Sequence, residues 1–363
     1  MQGRVIADCG RSPVTSGRAA GIIRAPVLSA IVVNWNGGEL LQQALASLFA
    51  QTWPALEVIL VDNGSIDGSP EQAERYFGDR LRVIRNLKNE GFAGGNNVGF
   101  AAARGEWLFL LNSDAVCPPD VIVELMAFAA DKPDVGQLAC RVVQADKPNF
   151  YDSAGLLLYP DGIARPRGWQ EKDQGQYDRA EEVLAPHGCA CALRKAMLDQ
   201  IGTFDEDFFC YFEDLDLGVR GQLAGWKCWY VPTSAVRHKK SSTVGNYSVF
   251  KAYHVERNRL YCLWKWMPRF LVFVSPLFTL NRYALQGYAA ATRQGLSAEF
   301  VKEYSLARLV VVLLHAWSAA LWRLPRMLRK RRAISSSRTI APRDWYDLIS
   351  RFKLDAIELA LKF

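Results

Sequence analysis

Val27-Leu28-Ser29-Ala30-Ile31-Val32-Val33-Asn34-Trp35-Asn36-Gly37-Gly38 passes from a β-branched apolar run straight into polar and glycine residues. The run predicts a buried strand, and residues 34–38 predict the turn that ends it. A helical pattern follows at Leu40, Leu41, Leu45 and Leu48. The cycle then recurs. Residues 56–61 predict a strand stopped by Asp62-Asn63-Gly64-Ser65, residues 70–77 a polar helix, and residues 81–85 a third strand. The glycine-rich stretch 90–99 opens another helix, and residues 107–111 make a fourth strand ended by Asn112-Ser113-Asp114. Strands alternating with helices are βαβ units, so the fold class is α/β with a parallel sheet. Ligands of such sheets sit outside the carboxyl ends of the strands. Asn34, Asn36, Asp62, Asn112 and Asp114 fall there, and one crevice should gather them.

Further on, residues 144–186 are polar and turn-rich, with Pro148, Pro160, Pro166 and Pro186, and read as a substrate-facing insertion. A strand over 187–193 and a helix over 194–201 follow. Residues 204–216 alternate aromatic and acidic side chains and close on Phe212-Glu213-Asp214-Leu215-Asp216, where a helix over 214–224 begins. Residues 226–231 predict a last short strand, and His238-Lys239-Lys240-Ser241-Ser242 a loop beyond it.

The chain has 363 residues, 50% hydrophobic and 22% charged, which excludes wholesale disorder and fibrous repeats and allows two or three domains. Its net charge of +7 hides an asymmetry: residues 1–235 carry 21 Lys and Arg against 30 Asp and Glu, residues 236–363 carry 23 against 7. A basic tail of this kind is expected to face something anionic, a membrane surface or nucleic acid. The eight cysteines form no Cys-x-x-Cys pair, so a zinc site is not expected and the thiols read as buried and reduced. Residues 1–25 read as a disordered leader. The tail, 249–363, is helical in pattern. Its run 309–322 is charge-free for 14 residues, as a helix roughly 21 Å long and shorter than a ~30 Å hydrocarbon core. Bounded by Arg308 and Arg323 and followed by a basic stretch to Arg332, it fits a helix lying in an anionic membrane interface; a buried core helix with a solvated charge run fits the same pattern. No stacking platform or zinc module accompanies the basic tail, so nucleic acid is not an expected partner.

Three positions stand out for chemistry. Asp114, at a strand end beside the crevice, is placed to hold Mg²⁺ or Mn²⁺, though an acid there can equally cap the helix after Pro118. Glu213-Asp214 opens a helix, where the dipole alone favours acids; the functional alternative is a general base. His238, as a neutral imidazole, could complete a metal site with Asp114, and Lys239 and Lys240 could cover a diphosphate. The stretch Gly91-Phe92-Ala93-Gly94-Gly95-Asn96-Asn97 lacks the spacing of a dinucleotide or P-loop motif, leaving close backbone approach to a nucleotide or sugar.

Val32-Val33-Asn34-Trp35-Asn36, Val61-Asp62-Asn63-Gly64-Ser65, Asn89-Glu90-Gly91-Phe92-Ala93-Gly94-Gly95-Asn96-Asn97, Leu110-Leu111-Asn112-Ser113-Asp114 and Phe208-Phe209-Cys210-Tyr211-Phe212-Glu213-Asp214-Leu215-Asp216 together resemble, over about residues 27–245, a family-2 glycosyltransferase of the GT-A fold. The sub-type looks like bacterial rhamnosyltransferases of the cell-wall-linker and O-antigen kind. The resemblance implies a Rossmann-like mixed sheet flanked by helices over 26–248, with a nucleotide-binding half 26–115 and an acceptor half 116–248; the helical region over 249–363 is expected, from its own charge and apolar pattern, to associate with a membrane. It implies Asn34, Asn36, Asp62, Gly91, Asn96, Asn112 and Lys240 around the nucleotide-sugar, Asp114 and His238 on Mg²⁺ or Mn²⁺, and Asp214 as base with Glu213 beside it. Asn112 departs from the family pattern, standing where the first acid of Asp-x-Asp is expected. The implied reaction is inverting transfer from a nucleotide-diphospho-sugar, dTDP-β-L-rhamnose foremost, to a polyprenyl-diphosphate-linked sugar such as GlcNAc, or another glycan acceptor. The implied location is peripheral, on the cytoplasmic face of the plasma membrane. A UDP-hexose, UDP-galactofuranose or UDP-N-acetylhexosamine donor, and a nucleotidyltransferase activity, remain alternatives; the latter would want a basic residue in the 34–38 turn.

Overall fold

In the computed structural model, which describes residues 27–239, 248–292 and 304–361, the apolar runs become the centre of one mixed sheet. The first half is β1 (Leu28–Asn34), α1 (Gly38–Phe49), β2 (Leu56–Asp62), α2 (Ser69–Phe77), β3 (Leu81–Arg85), α3 (Gly91–Ala102) and β4 (Trp107–Leu111). Its four strands are parallel, β1 lying between β2 and β4 with β3 outside β2. Both faces of β1 are covered. Leu28, Ala30 and Val32 share a core with Leu41, Leu45 and Leu48 of α1, and Ile31 belongs to the core on the other side with Ala93 and Phe100 of α3. That is why the run reads as continuously apolar rather than alternating.

The second half is β5 (Ala115–Val116), α4 (Val121–Ala129), β6 (Val135–Gln144), β7 (Tyr151–Ser153), β8 (Leu156–Leu158), β9 (Ala164–Pro166), β10 (Glu181–Glu182), β11 (Ala190–Arg194), α5 (Lys195–Ile201), α6 (Glu213–Leu223) and β12 (Lys227–His238). Here β11 enters antiparallel between β4 and β6, and β12 runs parallel to β6, so the sheet order is β10-β12-β6-β11-β4-β1-β2-β3. Two expectations change. The strand expected over 226–231 continues to His238, because a bulge between Val231 and Ala235 takes up Pro232–Ser234, with Ser234 Oγ donating to the Val231 carbonyl at 2.7 Å. The stretch 144–186 is more than a polar insertion: Tyr151, Asp152, Tyr159 and Asp161 in it are buried.

Five helices complete the described chain: α7 (Val249–Lys265), α8 (Arg269–Ala291), α9 (Leu306–Ser337), α10 (Pro342–Arg351) and α11 (Ala356–Leu361). They pack into one hydrophobic cluster with the second half of the sheet region, in which Leu260, Trp266, Met327, Trp345 and Phe352 meet Leu158, Phe208, Phe212, Leu215 and Val219. The run expected at 309–322 is part of a 32-residue helix that continues through Pro325 and the basic stretch. Among the described residues it is the helix that is long and apolar enough to cross a membrane by length and composition. Part of the basic stretch is tied to the rest of the chain. Arg326 and Lys330 each pair with Asp207 at 2.6 Å, Lys330 also pairs with Asp205, and Arg331 donates to the carbonyls of Trp264 and Met267. Arg329 and Arg332 remain exposed. The seven described cysteines are free thiols. The expected leader 1–25 and Lys240 lie outside the described residues.

Candidate active site

A cleft of about 410 Å³ opens at the carboxyl ends of β1 and β4, lined by Asn36, Gly37, Gly38, Glu39, Ser113, Asp114 and Lys239. Asp114 sits in the turn between β4 and β5 rather than capping α4, whose N-cap is Asp120. The last residue of β12 pairs with Ala115 of β5, which carries His238 to Asp114: Nε2 lies 3.2 Å from Asp114 Oδ1. The Lys239 N–H donates to the Asp114 carbonyl at 2.9 Å, fixing the two segments together.

The other imidazole nitrogen of His238 meets a residue that the sequence did not single out. Asp152, buried on β7, lies 2.7 Å from Nδ1. Burial works against an imidazolium here, but the Cys189 sulfur, Asp114 and Asp152 outweigh it and hold His238 well above its ordinary range. Asp114 and His238 supply one carboxylate oxygen and one imidazole nitrogen. Among the described residues no group of three or more His, Cys, Asp and Glu side chains converges as a metal cage. Asp114 Oδ1 at the cleft and His238 Nε2 beside it are oxygen and nitrogen donors that would suit Mg²⁺ or Mn²⁺.

Asp214 reaches the same neighbourhood through the segment before β11. Its Oδ2 accepts the Gly188 N–H at 2.9 Å and its Oδ1 the Leu215 N–H at 2.7 Å, while the Cys189 carbonyl accepts the Asn112 N–H at 2.8 Å. His187, beside Gly188, places its ring 6.4 Å from that of His238. Asp114 is among the residues that line the cleft, and Asp214 is linked to the end of β4 through Gly188 and Cys189. Glu213 behaves differently from its neighbour. It is buried, its Oε2 has no hydrogen-bond partner among the described residues, and burial together with the Asp214 and Asp216 charges pushes its carboxyl well above the usual range.

The remaining expected contacts divide. Asn36 lines the cleft in a left-handed conformation, φ 53°, with its Oδ1 accepting the Ile66 N–H at 2.8 Å. Asn34 is fully buried and donates to Ser65 Oγ and Ser69 Oγ, so it ties the β1 and β2 turns together behind the cleft. Asp62 is buried and accepts the Ser65 N–H at 3.2 Å. Asn96 turns into α3, donating to the Phe92 carbonyl at 2.9 Å. Gly91, φ 73°, lies against the 204–216 segment: a Cβ there would meet the Phe209 carbonyl oxygen at 2.3 Å.

The model for glycosyl transferase family 2 matches residues 29–202. The N-acetylglucosaminyl-diphospho-decaprenol L-rhamnosyltransferase of Mycobacterium tuberculosis is 31% identical over 241 residues, covering 60% of this chain and 78% of that protein. EpsH of Bacillus subtilis is 34% identical over 285 residues, covering 73% of this chain and 80% of that one. Among solved structures, the mannosyltransferase PcManGT from Pyrobaculum calidifontis, in complex with GDP-Man and Mn²⁺, superposes with a TM-score of 0.52 at 18% identity, over 83% of this chain and 88% of that one. GalNAc-T7 with UDP, GalNAc and Mn²⁺ superposes with a TM-score of 0.55 at 17% identity, over 74% and 52%. These likenesses bear on the fold, which is GT-A. With relatives matched along more than three quarters of their length, and the family's model lying on the strands that build the cleft, the chain belongs to glycosyltransferase family 2.

Proposed function

We propose that this transferase inverts the anomeric centre of a nucleotide-diphospho-sugar, dTDP-β-L-rhamnose foremost, and delivers the sugar to a hydroxyl of a polyprenyl-diphosphate-linked sugar such as GlcNAc. The observation that carries the reading is the Asp114–His238 pair at the cleft, with Asp214 fastened to the adjoining loop. The name of the mycobacterial relative supports the rhamnosyl donor and the lipid-linked acceptor, and the Mn²⁺ in both solved neighbours supports a divalent cation, Mg²⁺ or Mn²⁺.

Asp114 and His238 would hold the cation, which when bound would supply positive charge to the leaving diphosphate. Asn36 and the Gly37-Gly38 turn line the nucleotide side of the cleft, and exposed Lys239 adds charge at its edge. Asp214 takes the acceptor proton as that oxygen bonds to the anomeric carbon and the bond from this carbon to the diphosphate oxygen breaks. Positioning supplies most of the acceleration and the base roughly 10²–10⁴-fold. A donor panel read by nucleoside diphosphate release tests the proposal. Release should need acceptor, stop with EDTA and return with Mg²⁺ or Mn²⁺, and Asp214→Asn should bind nucleotide yet lose turnover by that factor. Activity indifferent to EDTA removes the cation from the reading.

The C-terminal helices are proposed to seat the enzyme on the cytoplasmic face of the plasma membrane, bringing the cleft to a lipid-linked acceptor. Phe270, Phe273, Leu277 and Leu280 form an exposed stripe at helical spacing on α8, and Val310, Leu314 and Leu321 another on α9, where Trp322 is 85% exposed. Exposed Arg329 and Arg332 follow on α9 and suit anionic headgroups. Vesicles containing an anionic lipid should sediment the protein, and Phe273→Ser with Trp322→Ser should release it. A folded double variant that still sediments defeats this part.

A further inference from the structure

We propose that Asn258, on the first C-terminal helix, is a positioning residue for the transfer: its buried amide holds the strained backbone of 208–212 and so sets where the Asp214 carboxylate stands. The inference rests on Asp214 being the base and deepens that reading.

The segment before Asp214 is unusual. Phe209, Tyr211 and Phe212 have φ of 65°, 67° and 73°. Non-glycine residues there are strained and persist only where neighbours hold them. The holding groups come from α7. The Asn258 side-chain nitrogen donates to the carbonyls of Phe208, Cys210 and Tyr211 at 3.0, 2.8 and 2.7 Å. The amide's orientation is fixed, because Arg257 Nε donates to Asn258 Oδ1 at 2.9 Å, turning the NH₂ toward the carbonyls. Arg257 also reaches the carbonyls of Asp207 and Phe208.

Every carbonyl through the strained stretch is thereby accounted for. That of Phe209 accepts the Ala93 N–H at 3.1 Å, across the gap that Gly91 leaves, and that of Phe212 accepts the Asp216 N–H at 2.9 Å and starts α6. Asn258 is fully buried, and no water can replace its bonds without opening the packing. If its donors are withdrawn, the carbonyls of Cys210 and Tyr211 lose the partner they have in α7. The left-handed residues relax, and the first turn of α6, where Asp214 is the second residue, swings with them. The donor cleft lies on the β1 and β4 turns and keeps its own bonds. The expected signature is a loss of rate without a loss of nucleotide binding.

The test uses the full chain with Asn258→Ser, which keeps one donor, and Asn258→Asp, which keeps the volume and the Arg257 contact but removes the NH₂. For each, kcat, the nucleoside diphosphate Kd by calorimetry in the presence of Mn²⁺, and the melting temperature are measured, with Asp214→Asn alongside. A misplacement near 1 Å costs about a hundredfold. Asn258→Asp should therefore lose about that in kcat, with Kd within about threefold of the parent, and Asn258→Ser should fall between. If Asn258→Asp does not fold, Asn258→Ser carries the test, with at least a tenfold loss in kcat at unchanged Kd expected. A folded variant with near-parental kcat, or one whose Kd rises in step with the rate loss, overturns the proposal. Asp214→Asn separates the two readings. If it keeps turnover, the base assignment falls and this inference with it; if it is dead while folded Asn258 variants remain active, only this inference falls.

Discussion

His238 has a different partner on each side of its ring, and the two partners do different work. Nε2 faces Asp114 at the cleft, while Nδ1 is bound to Asp152 in the interior at 2.7 Å. A carboxylate behind a ligating imidazole fixes the tautomer and raises the basicity of the other nitrogen, and losing it typically costs 10–100-fold in metal affinity. Asp152→Asn keeps a hydrogen-bond acceptor but withdraws the charge, so Mn²⁺ affinity, read by electron paramagnetic resonance with nucleoside diphosphate present, should fall about tenfold. An unchanged Mn²⁺ isotherm would show that Asp152 does not tune the site. Asn34 and Asn36 make the same point about neighbours of one residue type. Asn36 lines the cleft, whereas Asn34 is fully buried and sews two turns together. Their spacing on either side of Trp35 marked the turn correctly but could not say which amide points outward.

At the level of elements, what was legible followed from burial. The runs over β1, β2 and β4 are covered on both faces, so they read as strands, and the turns after β1 and β4 line the cleft while Asp62 at the end of β2 does not. Three things stayed hidden. Pro232 made β12 look finished at Val231, although a bulge carries it on to His238. Asp152 lies on a three-residue strand, too short for any alternation to emerge. Asn258 sits on a helix whose sequence spoke of a tail, and its contacts reach back across nearly fifty residues. The glycines of α3 were read as an opening for nucleotide, yet their space is filled by protein. A Cβ on Gly95 would meet Val33 Cγ1 at 2.6 Å, and one on Gly99 would meet Ile31 Cγ2 at 2.5 Å, so the helix lies against β1 because these positions lack side chains. Gly99→Ala gains about 1 kcal/mol of helix propensity but forces about 1–3 kcal/mol of overpacking onto a strand with no room to yield. A lower denaturation midpoint is expected; a higher one would mean that α3 can lift from the sheet freely.

Across the whole molecule, the charge asymmetry was visible in the sequence and its first destination was not. The basic C-terminal region finds acids within its own chain: Lys265 pairs with Asp205 and Asp216, Lys330 with Asp205 and Asp207, and Arg326 with Asp207. These pairs hold the segment around Asp205, Asp207 and Asp216, which ties the C-terminal helices to the rest of the fold. A second knot is deeper. Glu256 of α7 accepts from Arg259, from Arg282 and Tyr283 of α8, and from Trp317 of α9, while Asp161 receives Arg282 at 2.7 Å. Burial opposes ionisation of Glu256, but Arg282 and Arg259 hold its carboxyl well below the usual range, and Lys265 and Lys330 do the same for Asp205. Carboxyls depressed on folding contribute stability that is complete above their unfolded values, near pH 4, and disappears as pH falls through the folded ones. Acid should therefore loosen the C-terminal helices. Glu256→Gln removes one partner of a buried cluster and should cost about 3–5 kcal/mol at pH 7. It also removes the titrating group, so its stability should depend less on pH than the parent's between pH 5 and pH 3. Denaturant midpoints at pH 7, 5 and 3.5 for both proteins decide this. Parallel acid slopes would mean that Glu256 is not the group through which low pH undoes the fold.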